Sequence, residues 1–325
     1  MGFHLAVYDE LMFQYIADTI VYNLLGLSEE MPQAAVFNFF IYDTIKILFL
    51  VFTVVTIIAF IRQFVDPVKT RELMKKARFG SGNLIAALFG AVTPFCSCSS
   101  IPLFISFLEA RIPMGIAFSF LITSPLVNEV AFVMMGGLFG WKIAILYAVS
   151  GILLGVISGM IIGLLKMEKH IILETSEEKH YEEQTAKTLK GKIHHALRVG
   201  VRTFKNLLPY ILGGVAVGAI IHGYVPQEFF MNTIGKYEAL SVPIATLIGI
   251  PIYAGCSMIV PVIFSITVSG VPLGTSLAFM MAIAGLSLPE AIILKRVMSF
   301  KLLATFFGLV AIGIMAIGYL FNFLA

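Results

Sequence analysis

Charged side chains are scarce in this sequence. Only 13% of its 325 residues are Asp, Glu, Lys or Arg, whereas 59% are hydrophobic, and the mean hydropathy is +0.95. No soluble core needs so many hydrophobic residues, so a soluble enzyme is excluded and an integral membrane protein is indicated. The formal net charge of +3 is small, and the basic residues cluster at loop ends. This pattern excludes a nucleic-acid partner and makes the lipid bilayer the expected surroundings.

Cysteine is nearly absent, and several standard motifs are missing. Three cysteines, Cys96, Cys98 and Cys256, are too few for a secreted disulfide framework. The first residues lack the basic region of a secretory signal, so we expect them to be mature sequence. There is no Walker motif, so ATP hydrolysis would require a separate subunit. We expect no cofactor and no enzymatic activity.

The hydrophobic stretches predict an all-α polytopic membrane protein with about eight to ten membrane segments. Residues 1–43 are acidic, contain no Lys or Arg, and predict an amphipathic segment on a membrane surface or on the protein itself. Residues 44–165 form a first membrane unit, residues 166–203 a polar linker, and residues 204–325 a second membrane unit. The positive-inside rule places the linker in the cytoplasm and both termini outside, in the cytoplasmic membrane of a prokaryote.

Two hydrophobic stretches are interrupted by small, polar and proline residues. The first covers 80–111 and is broken at Thr93-Pro-Phe-Cys-Ser-Cys-Ser-Ser100; the second covers 241–271 and is broken around Cys256. Because each arm is short for a crossing, both stretches predict a re-entrant hairpin whose irregular tip is buried near the midplane. Full crossing by both arms stays open as the alternative.

The two membrane units look like copies of each other. A Pro-Pro-Gly pattern recurs 159 positions later in the chain, as Pro102, Pro113 and Gly115 and again as Pro261, Pro272 and Gly274. Such spacing indicates a duplication. Lys and Arg are dense after the first span of one copy and sparse at the matching loop of the other, and the bias reverses at the turn 295–301. The exchange predicts two inverted-topology repeats, each with about three spanning helices and one broken hairpin.

All three cysteines fall on the two predicted hairpin tips, which an inverted arrangement brings together from opposite sides. Thiolates are soft ligands that select thiophilic centres such as trivalent arsenic, Cu(I) or Zn. We therefore predict a soft metal or metalloid site formed by the three cysteines. The other predicted substrate-binding residues lie on the same tips or beside a break in a later span: Ser97, Ser99, Ser257 and Asn128. The alternative is that the cysteines only fill space as small apolar groups.

Glu129 and Glu290 are the acidic residues that fall within the later spans. An ionisable group inside a membrane is costly and therefore a candidate for function, so we predict that these two carry a coupling proton or line the cavity. For Glu290 a structural alternative exists, because Ser287-Leu-Pro-Glu290 also fits a capping box with proline in the first helical turn.

Four motifs carry a family resemblance: Phe95-Cys-Ser-Cys-Ser-Ser100, Ser124-Pro-Leu-Val-Asn-Glu129, Ala254-Gly-Cys-Ser257 and Ser287-Leu-Pro-Glu290. They resemble the predicted bacterial and archaeal permeases that include YraQ and the organoarsenical permease ArsP, from about residue 44 to the C-terminus. The resemblance implies a permease that works as an exporter. Similarity to ArsP further suggests efflux of trivalent organoarsenicals, with the thiols as ligands.

The sequence thus predicts a secondary transporter that exports a small thiophilic solute, with proton exchange as the coupling. One alternative is a transmembrane thiol oxidoreductase, although Cys-x-Cys is not the usual Cys-x-x-Cys redox motif. Another is a permease for an unrelated organic or anionic solute, with structural cysteines. A homo-oligomer is left open.

Overall fold

The computed structural model describes residues 12–28, 31–62, 80–93, 97–172, 189–224, 240–252 and 256–324. A helical segment at 12–24 precedes twelve α-helices in this part of the chain, which confirms the all-α prediction. The first six are α1 (Pro32–Arg62), α2 (Ser81–Val92), α3 (Ser97–Glu109), α4 (Met114–Leu126), α5 (Glu129–Leu138) and α6 (Trp141–Leu164). The second six are α7 (Leu189–Tyr224), α8 (Ser241–Gly249), α9 (Cys256–Val268), α10 (Leu273–Gly285), α11 (Leu288–Leu294) and α12 (Phe300–Leu324).

Several of these helices are long and hydrophobic enough to cross a bilayer. By length and composition, three candidate spans are α6, α10 together with α11, and α12. A fourth is formed by α4 and α5, which meet at a bend of 42°. In contrast, α2 and the hydrophobic parts of α3 and α9 are shorter, as expected for the arms of a hairpin. The protein is therefore a polytopic membrane protein.

The helices of the first half recur in the same order in the second half. α2 and α8 begin 160 positions apart, and the starts of the next four pairs (α3 and α9, α4 and α10, α5 and α11, α6 and α12) differ by 159. A packing contact recurs as well: a β carbon on Gly115 would lie 2.6 Å from the carbonyl oxygen of Gly159, and one on Gly274 would collide with that of Gly318. In both halves, glycine therefore lets two spanning helices approach closely.

Two equivalent helices, α6 and α12, cross each other in an antiparallel register. Leu154 of α6 meets Gly313 of α12 near the middle of both helices, and Lys166, just beyond the end of α6, shares a pocket with Lys301 at the start of α12. Moving towards the C-terminus of α6 therefore means moving towards the N-terminus of α12, so the two helices are antiparallel. In parallel helices Lys166 would instead lie beside the C-terminus, about 36 Å from Lys301 at 1.5 Å per residue.

The first helices of the two halves, α1 and α7, are antiparallel as well. The ring of Phe52 lies 6.3 Å from that of Phe204, and a β carbon on Gly200 would lie 3.4 Å from the β carbon of Thr56. Both pairs of equivalent helices thus run in opposite directions. These contacts support the inverted topology, which stays a prediction.

The N-terminal segment at 12–24 packs against α1, with contacts at Asn38 and Phe49. Gln14 donates hydrogen bonds to Asp18 and Asn38, and Asn38 in turn donates to Asp18 at 2.7 Å. The rings of Phe13 and Phe49 lie 5.5 Å apart. Of the two placements that the sequence leaves open for this segment, the structure shows contact with the protein itself.

Candidate functional site: a centre formed by two hairpins and two broken helices

The tip of the first hairpin lies beside the break between α4 and α5. At the start of α2, Asn83 donates a hydrogen bond to Ser119 at 2.9 Å, and near its end a β carbon on Gly90 would lie 3.1 Å from the backbone nitrogen of Ser124. On the returning arm, the Ser100 hydroxyl lies 2.8 Å from that of Ser124. The two arms, α2 and α3, thus both lie beside α4, with their adjoining ends close to the break; that neither arm crosses the membrane stays a prediction.

The second hairpin repeats this arrangement beside the break between α10 and α11. At the start of α8, the Ser241 hydroxyl lies 2.9 Å from that of Thr275 in α10. At the end of α8, a β carbon on Gly249 would lie 2.8 Å from the β carbon of Ala282. The backbone N–H of Leu288, at the start of α11, donates to the carbonyl of Ile250, close to the tip, at 3.0 Å.

The two breaks touch each other. Leu126 is the last residue of α4 and Gly285 the last residue of α10, and the two positions are equivalent at a separation of 159. A β carbon on Gly285 would lie 2.8 Å from Cδ2 of Leu126. Because each hairpin turns beside its own break, this contact brings both hairpins and both breaks to one central region of the molecule.

The described residues of the predicted cysteine site lie at the starts of the two returning arms. Ser97, Cys98 and Ser99 form the first turn of α3, and Cys256 and Ser257 begin the equivalent helix α9. Cys96 lies outside the described residues. Within the described part of the chain, no group of three or more His, Cys, Asp and Glu side chains is placed to hold a metal ion. A site that needs Cys96 therefore stays a prediction.

Asn128 and Glu129 occupy the break in the first half. Asn128 caps α5, because its side-chain oxygen accepts a hydrogen bond from the backbone N–H of Val130 at 2.8 Å. Glu129 is the first residue of α5, and its side chain is exposed. The amide nitrogen of Asn128 and the Glu129 carboxylate thus lie at the break, and neither takes part in the capping hydrogen bond.

Glu290 lies in the equivalent helix of the second half, but its side chain is buried, whereas that of Glu129 is exposed. Its side chain is 0% exposed, and neither carboxylate oxygen has a hydrogen-bond partner among the described residues. The Ser287 hydroxyl makes no capping bond and is also without a partner there. The capping-box interpretation is therefore wrong: the side chains of Ser287 and Glu290 are both buried without the reciprocal bonds that such a cap requires.

Asp43 is a candidate that the sequence analysis did not single out. It lies within α1, is 4% exposed, and its Oδ2 has no hydrogen-bond partner among the described residues. Its signal is an isolated acid inside a hydrophobic run that starts at Val36. The predicted span begins at Thr44, one residue too late to include it, whereas α1 begins at Pro32.

These features define an all-helical polytopic membrane protein of two similar halves, each of which brings a hairpin tip and a broken helix to the centre. The chain belongs to a family of predicted permeases, ArsP_1, which matches residues 33–323. The resemblance inferred from the four motifs is thus confirmed, and the protein is assigned to the permease class.

Three curated relatives show how widely this family is spread. A two-component membrane permease complex subunit of Streptococcus mutans is 26% identical, over 58% of this chain and 62% of the relative. A UPF0718 protein of Methanocaldococcus jannaschii is 22% identical, over 73% of this chain and 80% of the relative, and the UPF0718 protein YraQ of Escherichia coli is 23% identical, over 73% and 66%. The match thus spans less than two thirds of the streptococcal and Escherichia relatives. No solved structure matches the chain.

Proposed function

We propose that the protein is a secondary transporter that exports a small thiophilic solute, with trivalent organoarsenicals as the leading candidates, through the central region between the two hairpin tips. The observation that carries this proposal is the contact between Leu126 and Gly285, which joins the two breaks beside the two tips. Irregular backbone inside a membrane is tolerated where it is buried in protein or lines a cavity, and transporters use such places as binding sites.

The cysteines are the proposed ligands. Cys98 and Cys256 lie in the first turns of α3 and α9, where free backbone N–H groups and the helix dipole favour a negative charge. The thiolate is the form of cysteine that binds soft metals and metalloids. Cys96, two residues before Cys98, is the third proposed ligand.

Proton exchange is the proposed coupling, carried by Glu129 and Glu290. The Glu129 side chain is exposed, whereas that of Glu290 is sealed from solvent and without a hydrogen-bond partner among the described residues. A buried carboxylate without a partner is much less costly when it is protonated. Alternating access would exchange the two environments, so that each acid binds a proton when it is enclosed and releases it when it is exposed.

The test is resistance of an arsenical-sensitive bacterial host that expresses the protein. We expect the wild type to raise the tolerated concentration of a trivalent organoarsenical and the triple variant Cys96→Ser, Cys98→Ser, Cys256→Ser to lose this protection at equal membrane abundance. Unchanged resistance in the triple variant would remove the thiols as ligands. It would favour a permease for another solute, in which the cysteines only pack.

A thiol oxidoreductase remains the alternative from a different functional class, and trapping with an alkylating reagent separates it from transport. A disulfide between Cys96 and Cys256 that cycles with an external thiol donor would favour electron transfer.

The partner of the protein in the membrane is a separate question. Because the streptococcal relative is named as a subunit of a two-component complex, we propose that a second membrane subunit is an alternative to a homo-oligomer. Co-purification from native membranes distinguishes the two.

A further inference from the structure

A basic pocket lies at one end of the α6 and α12 pair, far from the central region. Its volume is about 460 Å³, and it is lined by the end of α6, the turn that follows it and the first turns of α12: Leu165, Lys166, Met167, Lys169, His170, Lys301 and Thr305. None of these lining residues carries a carboxylate, and Glu168, which lies between two of them in the chain, is exposed.

The backbone holds the two walls of the pocket together. The N–H of Ser299 donates to the carbonyl of His170 at 2.8 Å, and the N–H of Ile172 donates to the carbonyl of Val297 at 2.7 Å. Met167 is buried beneath the turn, at 8% exposure. The segment that carries Lys169 and His170 is therefore fixed against the start of α12, and the pocket does not depend on a chance orientation of a free loop.

The lysines that line this pocket have no charge partner in the described part of the chain. Lys166, Lys169 and Lys301 make no ion pair with any described residue. Three ammonium groups around one concave site repel each other and attract an anion, and the positive end of the α12 dipole adds to that attraction. The chemistry of the pocket is that of a site for a phosphate group.

The position of the pocket identifies the source of the phosphate. It lies where the candidate spans Trp141–Leu164 and Phe300–Leu324 end and begin, which is the level of lipid headgroups. The sequence predicts that this side is cytoplasmic. The opposite end of the pair contains only Lys142 as a basic residue of these two helices. Anionic lipids of the cytoplasmic leaflet attract each nearby lysine, and basic pockets between spanning helices suit their headgroups.

We propose that this pocket binds the phosphate-bearing headgroup of an anionic phospholipid. The lipid would join the linker turn to both α6 and α12, the equivalent helices that cross at Leu154 and Gly313. Occupancy would thus stabilise the contact between the two halves of the protein at its cytoplasmic end. This site is independent of the substrate and holds whether or not the central region transports an arsenical.

The test is the thermal unfolding of the full-length purified protein in detergent with added phosphatidylglycerol, phosphatidylcholine or inorganic phosphate. We expect phosphatidylglycerol to raise the unfolding midpoint and phosphatidylcholine and millimolar phosphate to have little effect. In the triple variant Lys166→Gln, Lys169→Gln, Lys301→Gln we expect the apparent affinity for phosphatidylglycerol to fall by at least about tenfold. The matched control Lys142→Gln, Lys190→Gln, Lys205→Gln removes three exposed lysines outside the pocket and should leave the affinity unchanged.

Two further measurements keep the test decisive. The Lys→Arg triple at the pocket positions keeps the charges and should retain the binding, and Lys301→Gln alone serves if the Lys→Gln triple does not fold. Equal phosphatidylglycerol stabilisation of the wild type and the pocket variants would overturn the proposal. Equal stabilisation by inorganic phosphate and phosphatidylglycerol would assign the pocket to a soluble anion and reject the lipid.

Discussion

Leu126 and Gly285 occupy equivalent positions in the two halves and touch each other where both broken helices end. A β carbon on Gly285 would lie 2.8 Å from Cδ2 and 3.1 Å from Cγ of Leu126, so a larger residue there forces the leucine to move. At this contact, the Leu126 side chain fills the space that a side chain at position 285 would need. The geometry of the central region depends on that pairing.

A first prediction tests this contact by enlarging the side chain at position 285 and shortening the one at position 126. Gly285→Val should destabilise the protein by about 1–3 kcal/mol through overpacking, and Leu126→Ala should restore part of that loss in the double variant. Unfolding in detergent measures both effects. Gly137→Ala is the matched control, because a β carbon there meets no atom within 4 Å. Additive losses in the double variant would show that the two positions are not coupled.

A second prediction concerns the opposite directions of α1 and α7. In a cysteine-free background, Thr56→Cys with Gly200→Cys should form a disulfide on oxidation, because their β carbons would lie 3.4 Å apart, close to the usual range. The control is Thr56→Cys with Ala216→Cys, which pairs equivalent positions and is suited to parallel helices. Gel mobility before and after reduction measures the bond. Faster crosslinking of the control pair would contradict the inverted arrangement.

Much of this architecture could be predicted from the sequence, since hydrophobic length, charge bias and a repeated Pro-Pro-Gly pattern report directly on the membrane environment. The first hairpin follows from the polar and proline residues at Thr93 to Ser100, which interrupt the hydrophobic stretch, although Ser97 to Ser100 already belong to the returning helix α3. What the sequence could not show is burial. Glu290 fits a capping box by spacing alone, but only the packed structure shows that its carboxylate is enclosed and that no cap forms.

Asp43 illustrates the same limit at a boundary. The predicted span started at Thr44, directly after this acid, whereas α1 begins at Pro32. The hydrogen bond from Asn38 to Asp18 holds this first part of α1 against the N-terminal segment. Long-range polar contacts of this kind have no local sequence signal.

A third prediction distinguishes two roles of Asn128, capping α5 and binding solute through its amide nitrogen. Asn128→Ala removes the hydrogen bond to the Val130 N–H and should destabilise α5 by about 1 kcal/mol, whereas Asn128→Ser retains a capping oxygen and should cost much less. Both substitutions remove the amide nitrogen. If that nitrogen binds solute, transport falls in both variants, whereas the unfolding midpoint falls mainly in the alanine variant. Normal transport by the serine variant would limit Asn128 to its role as a cap.

A fourth prediction concerns the buried acid in the second half. Because neither Glu290 oxygen has a hydrogen-bond partner among the described residues, the ionised side chain gains nothing locally to offset its burial. Glu290→Gln keeps the size of the side chain and removes that charge. We therefore expect the variant to be at least as stable as the wild type. Unfolding midpoints of the two proteins in the same detergent test this expectation.

The same variant should lose transport, because glutamine cannot carry the coupling proton. Loss of solute export with full stability would place Glu290 among residues kept for function at a cost in stability. The control is Glu168→Gln, an exposed residue outside the spans, which should change neither property. A Glu290→Gln protein that unfolds more easily and still responds to a proton gradient would refute the coupling role. The buried carboxylate would then have a structural role.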